Sequence, residues 1–315
     1  MRRFVAEGRG MSTFQPVYTL TPLIQRQLVA IDRVVGFLEA VDLRDDWRHD
    51  LRESARLRDA LSSLQIEGSS LTFETAFRLA TEGPSQPVSE SEQEFLNYLA
   101  AFDAIDGLKG DKAYPVSRRD LLNLHGMIVR GVRGGFDNAG RFRETEVVVG
   151  DRHGEEVTVH HRPPEPHEVS PHVDDLAAWL GVAKEHPTPA QIKNGAVDGW
   201  VHPVIVAGIA QHRLVWIHPF LDGNGRTARM FTAMLLFQRG YDFKYLFDLS
   251  SYYNRDRDRY YEALRTVDRT SDYTEWLHYF LGGFAYQLMR IKDRGARLAR
   301  GLALTGFAAE TGPKA

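Results

Sequence analysis

The segment HPFLDGNGRTAR, from His218 to Arg229, decides how this chain is read. It brings an imidazole, a carboxylate, two glycines about an asparagine and two guanidiniums together at fixed spacing. Pro203 to Trp216 is apolar enough for a central buried helix, through Val204, Ile205, Val206, Ile209, Leu214 and Val215. A second apolar helix is expected from Thr227 to Arg239, leaving Pro219 to Arg226 as a short loop. A helix starting after Gly223-Asn224-Gly225 aims unpaired backbone N–H groups and its positive dipole end at whatever lies in front. The glycines let that backbone approach a polyphosphate closely. Arg226 and Arg229, three apart, share a helix face and can reach phosphate oxygens. Asp222 is a hard oxygen ligand suited to Mg²⁺, and His218 is a base that takes a proton near neutral pH. Phe220 reads as a buried anchor for the loop.

Other readings of these residues are weaker. Asp222-Gly223-Asn224-Gly225 occurs in calcium-binding EF-hand loops, but the upstream Asp ligands and the closing Glu are missing. His160, His161, His202 and His212 read as structural or surface histidines, not metal ligands.

The bulk numbers exclude several classes. The chain has 315 residues, 43% hydrophobic and 26% charged, as in an ordinary globular protein with ample core. A net charge of -3 argues against a general nucleic-acid binder. Without cysteine there is no disulfide or thiolate chemistry, which fits the cytoplasm. No apolar run approaches the ~20 residues of a membrane span, and the N-terminus lacks a secretory h-region.

The rest of the chain is mostly helical text. Thr21-Pro22 opens a helix, and others are expected at Trp47 to Leu64, Leu71 to Thr81, Glu90 to Ile105 and after Ser117. Gly83 to Pro87 is a loop. Glu146 to Val149 and Glu155 to Val159 read as two strands around a polar turn. Helices are expected to resume near Asp174, and to cover Asn254 to Val267 and Tyr273 to Lys292. The expected division is a disordered extension over 1–15, an N-terminal helical region over 16–110, a core over 111–295 and a tail over 296–315.

Residues 218–229 resemble the Fic family signature HPFx[D/E]GNGRxxR at every defined position. Leu124-His125, Gly140-Arg141-Phe142-Arg143, the hairpin and Pro163-Pro164-Glu165-Pro166 follow in the order seen in Fic domains. The resemblance implies an all-α fold, a Fic-type helical bundle with a small β-hairpin flap. It implies transfer of AMP from ATP to a Ser, Thr or Tyr hydroxyl of a protein target, with His218 as base and Asp222 holding Mg²⁺. Gly223, Asn224, Gly225, Arg226 and Arg229 would hold the phosphates. Tyr253 and Asn254 would lie near the nucleotide base, and the flap would dock the target by strand addition. Ser63-Leu64-Gln65-Ile66-Glu67-Gly68 is similar to the family's inhibitory helix motif, here N-terminal to the core (class II type), with Glu67 reaching Arg229.

Self-modification fits this picture, and a homodimer is left open. Three alternatives stay open: removal of AMP, transfer of another nucleotide or phosphate-containing group, and a regulator that binds nucleotide without chemistry. The chain ends at Ala315 without the C-terminal winged helix of some relatives, so no DNA-binding role is expected.

Overall fold

The computed structural model describes residues 13–40, 45–84, 88–108, 111, 114–132, 137–153, 156–183, 200–241 and 248–299. Among them are eleven helices and one two-stranded antiparallel sheet. The helices are α1 (Pro22–Ala40), α2 (Asp45–Ile66), α3 (Phe73–Glu82), α4 (Glu90–Asp106), α5 (Arg118–Ile128), α6 (Pro166–Val182), α7 (Pro203–Ile217), α8 (Asn224–Gln238), α9 (Leu249–Asn254), α10 (Arg257–Thr270) and α11 (Thr274–Ala299). The strands are β1 (Val149–His153) and β2 (Glu156–His161), between α5 and α6.

α7 is the axis of the bundle. It is buried on nearly every side, because its apolar residues are not confined to one face. α8 packs antiparallel-fashion beside it across the 218–223 loop, α6 and α11 cover it, and α5 and α4 close over α8. Gly208 lets α11 approach, since a Cβ there would meet the Phe280 ring at 2.8 Å; the indole N–H of Trp276 donates to the Gly208 carbonyl at 2.7 Å. α2 packs against α4 and α9, and α1 lies along α11. The N-terminal helices are thus joined to the same core as the loop.

Several expected boundaries move. α6 begins at Pro166, eight residues before Asp174, because proline is pre-set for a first helical turn and Glu168 reaches back to the Glu165 N–H at 3.0 Å. α8 begins at Asn224, three residues before Thr227, so the glycine text belongs partly to the helix. The helix expected from Asn254 to Val267 is α10, which starts three residues later at Arg257, and a separate short helix, α9, ends at Asn254. Asp256 caps α10 by accepting from Arg259 N at 3.0 Å.

The hairpin is displaced as well. Residues 146–148 are not strand, whereas Gly150 to His153, expected as turn, pair with β2. A bulge falls between Val149 and Gly150, and a Cβ on Gly150 would come within 2.1 Å of the Thr158 carbonyl oxygen. Glycine there marks a close backbone approach. The turn at 154–155 lies outside the described residues, as do residues 85–87 of the expected loop, the first twelve residues and the tail from 300. Phe14, within the expected disordered extension, is packed: its ring stands 5.5 Å from Trp179 and 6.4 Å from Tyr273.

Candidate active site

The chain leaves α7 through His218, whose backbone is left-handed (φ 49) although it is not glycine. Its N–H still donates to Leu214 O at 3.0 Å, so the helix ends there, and its Nδ1 lies 3.4 Å from Val215 O in the last helical turn. Phe220 is fully buried. The Asn224 side chain closes the loop on itself: its Nδ2 donates to Phe220 O at 2.8 Å, and its Oδ1 accepts from Phe220 N at 2.9 Å. Each end of that amide thus makes one bond within the loop.

Gly223 (φ 75) caps α8, and the first helical bond runs from Thr227 N to Gly223 O at 2.9 Å. The N–H groups of Asn224, Gly225 and Arg226 thus form an open first turn. That turn is an anion cradle, and a carboxylate lies over it. A Cβ on Gly225 would stand 2.2 Å from Glu67 Oε1 and 3.0 Å from Arg229 Nη1.

Glu67 follows the last turn of α2. Arg229 Nη2 donates to Glu67 Oε1 at 2.8 Å and to Ser63 O at 2.9 Å, and its Nε donates to Ser63 Oγ at 2.9 Å. Burial alone would push the Glu67 carboxyl up, but Arg229, aided by Arg226 and His218, holds it below the usual range. Burial pulls the Arg229 guanidinium down, and the Glu67 charge beside it more than offsets that. Ser63, Glu67, Gly225 and Arg229 form one cluster across 166 residues of chain.

Arg226 has a different partner from the one its motif suggests. It is 4% exposed, bonds Glu94 of α4 through Nη1, and reaches Asp222 Oδ1 from Nη2 at 3.4 Å. Glu94 is a site residue that sequence reading missed. Asp222 is 43% exposed at the side chain, and its Oδ1 also accepts from Gly223 N at 2.6 Å. The carboxylate thus offers a hard oxygen beyond the one bonded to Gly223 N and Arg226. No group of three or more His, Asp or Glu among the described residues could hold a metal by itself. Asp222 therefore fits Mg²⁺ only as one ligand to an ion that arrives with phosphates.

His125 of α5 underlies the loop. Its ring stacks on Phe220, with centroids 3.6 Å apart and planes within 4°. Gly140 N donates to Nδ1 at 3.0 Å, so Nε2 carries the hydrogen and donates to Asp222 O at 3.1 Å. Burial pulls both His125 and His218 down to about 4, so each imidazole is neutral at pH 7. For His218 that leaves a ring nitrogen free to accept a proton.

The expected base-side pair divides. Asn254 donates to Gln65 Oε1 at 2.8 Å, beside Glu67. Tyr253 is fully buried, its ring 4.4 Å from Tyr260 and its hydroxyl donating to Gln211 at 3.2 Å, so it forms the core behind Asn254 and does not face the loop. The remaining histidines are structural: His212 reaches Leu264 O at 3.1 Å, His161 reaches Trp216 O at 2.8 Å, and His202 caps α7 by accepting from Val204 N at 3.2 Å.

A helix-bounded HPFLDGNGRTAR loop tied to a two-stranded hairpin is similar to a Fic-type fold. Residues 115–236 match the model of the Fic/DOC family. Among curated proteins it is similar to the protein adenylyltransferase Fic of Drosophila grimshawi, 29% identical over 226 residues, which is 70% of this chain and 41% of that protein. The namesake from Culex quinquefasciatus is also 29% identical over 226 residues, 39% of its length. The chain spans well under half the length of these curated relatives. Its fold is similar to the crystal structure of a Fic family protein from Desulfovibrio desulfuricans, with TM-score 0.71, 24% identity, and 89% of this chain and 77% of that one covered. A Fic domain containing signaling protein from Bacteroides thetaiotaomicron matches with TM-score 0.63 and 18% identity over 90% of this chain and 99% of its own.

Proposed function

We propose that the protein transfers AMP from ATP to a Ser, Thr or Tyr hydroxyl of a protein target, and to itself, and that Glu67 restrains this activity. The observation that carries the reading is the Glu67 carboxylate lying over Gly225 and bonded to Arg229. A site that holds one anion in its cradle is built for anions, and the adjoining base faces the same space. In the reaction, His218 takes the proton of the incoming hydroxyl, whose oxygen attacks the α-phosphate as the bond to pyrophosphate breaks. The open amides of α8 and Arg229 steady the phosphates, while Asp222 would hold a Mg²⁺ that screens their charge. Arg226 acts through Asp222 and Glu94, not on the phosphates. Positioning and electrostatics supply most of the rate.

The protein works in the cytoplasm on this reading; no helix among the described residues is long and apolar enough to cross a membrane. The test is to incubate Glu67→Gly with each labelled nucleoside triphosphate and Mg²⁺, then read modified hydroxyls by mass spectrometry. Adenylate on Ser, Thr or Tyr supports the proposal. Transfer of a different group, or of none from a folded variant, overturns it.

A further inference from the structure

We propose that Arg143 is a positioning residue that registers the β1–β2 hairpin against His218. It rests on the transfer reading above, in which a hydroxyl presented beside the hairpin must meet the imidazole. Each nitrogen of the buried guanidinium bonds a backbone carbonyl. Nε donates to His218 O at 2.8 Å, Nη1 donates to Thr145 O at 3.1 Å, and Nη2 donates to Pro164 O. Arg143 N donates to Pro219 O at 2.9 Å. Thr145 stands just before β1 and Pro164 just after β2, so one planar group fastens both roots of the hairpin to the residue that carries the base.

The chemistry explains why an arginine stands here. The carbonyl of His218 lies past the last helical donor of α7, in a left-handed conformation that disfavours a side chain. A buried cation bonded only to carbonyls is costly to desolvate, and a packed apolar residue would stabilise the fold more cheaply. What an apolar residue cannot do is hold three carbonyls in one plane at set separations. Lysine cannot do so either, since its ammonium lacks the rigid fork. A second tie acts in the same sense: His161, the last residue of β2, donates from Nε2 to Trp216 O at 2.8 Å in the final turn of α7.

The test uses the full chain in the Glu67→Gly background. Arg143→Lys is expected to lower AMP transfer to protein by about 30- to 100-fold, the scale of a 1 Å misplacement. ATP affinity should stay within about 3-fold, because no Arg143 nitrogen faces the cradle. Amide exchange over 156–161 should quicken at least ~10-fold while that of α8 is unchanged. Transfer within about 3-fold of the parent, unchanged hairpin exchange, or an equal loss of ATP binding would each overturn the proposal. If the parent itself transfers no AMP, the functional reading fails, and the exchange measurement alone decides whether Arg143 holds the hairpin. Should Arg143→Lys not fold, His161→Phe leaves Arg143 intact, severs the second tie together with the 3.6 Å contact to Asp268, and keeps an aromatic ring. An ~5-fold fall in transfer at unchanged ATP affinity is expected from it, and no fall overturns the coupling.

Discussion

Glu67 and Arg229 meet at 2.8 Å with the carboxylate lying directly over Gly225, so the residue after α2 fills the anion cradle of α8. On the proposed function, a carboxylate there would take a guanidinium that a γ-phosphate needs and would repel the phosphate itself. Glu67→Gly should therefore raise self-modification at least ~10-fold, about 1.4 kcal/mol of barrier. Arg229→Ala should show no gain, because it removes the phosphate ligand together with the latch. Rates with ATP and Mg²⁺, on variants checked for folding, decide between latch and ornament.

Gly225→Ala separates the latch from the cradle. The new methyl would fall 2.2 Å from Glu67 Oε1, so the carboxylate must leave. Amide exchange at the end of α2 should quicken, yet transfer should not rise, since the methyl stands where a phosphate would approach. Activity equal to that of Glu67→Gly would show that phosphate does not bind over residue 225.

His218→Ala should abolish transfer, a general base being worth ~10²–10⁴-fold, while ATP affinity changes little. Burial holds the His218 imidazole down at about 4, so the base is already deprotonated across the neutral range. The acid limb of the rate should therefore fall below pH 6, and not near the 6.5 of a free histidine. A limb centred at 6.5 would mean that the working site is more open to water than this one.

Asp59 gives a stability prediction. Burial, reinforced by Asp248, pushes its carboxyl up to about 6, against the hydrogen bond from Ser250 N at 2.9 Å. The folded state therefore holds a proton that the unfolded state releases near 3.8, so this group's contribution is full at low pH and is lost as pH rises to 6. Asp59→Asn keeps the acceptor for Ser250 and cannot ionise. Its stability relative to wild type should grow between pH 4 and pH 7, by roughly 1–2 kcal/mol. Denaturant unfolding at both pH values measures this, and a constant difference would contradict it.

Val148 and Val159 are 47% and 38% exposed beside or on the hairpin. If the hairpin docks the target, Val159→Asp should lower modification of a target protein at least ~10-fold and leave ATP affinity unchanged. Equal loss of both would point to misfolding, and no loss would remove the hairpin from target binding.

Residues 218–229 could be read from the sequence because their chemistry is local. A loop between two apolar helices, with glycine, base and carboxylate at short spacing, needs no distant partner to be recognised. The same holds for the helix starts at Thr21 and Ser117, whose capping bonds act within one turn. The partners of those residues could not be read in the same way. Arg226 looked like a phosphate ligand, and only packing of α4 on α8 brings Glu94, 132 residues earlier, to its guanidinium. Packing of α5 likewise lays His125 under Phe220 and onto the Asp222 carbonyl, 97 residues away. Tyr253 offered an aromatic ring, and whether it faced a nucleotide or the core depended on Tyr260 stacking on it across the α9–α10 break. The hairpin register was decided by how closely Thr158 approaches Gly150. Periodicity and spacing report which groups a segment owns and which face it buries; which distant group comes to meet them is set by helices packing at close distance, where burial leaves a charge or an N–H no partner but the one the fold supplies.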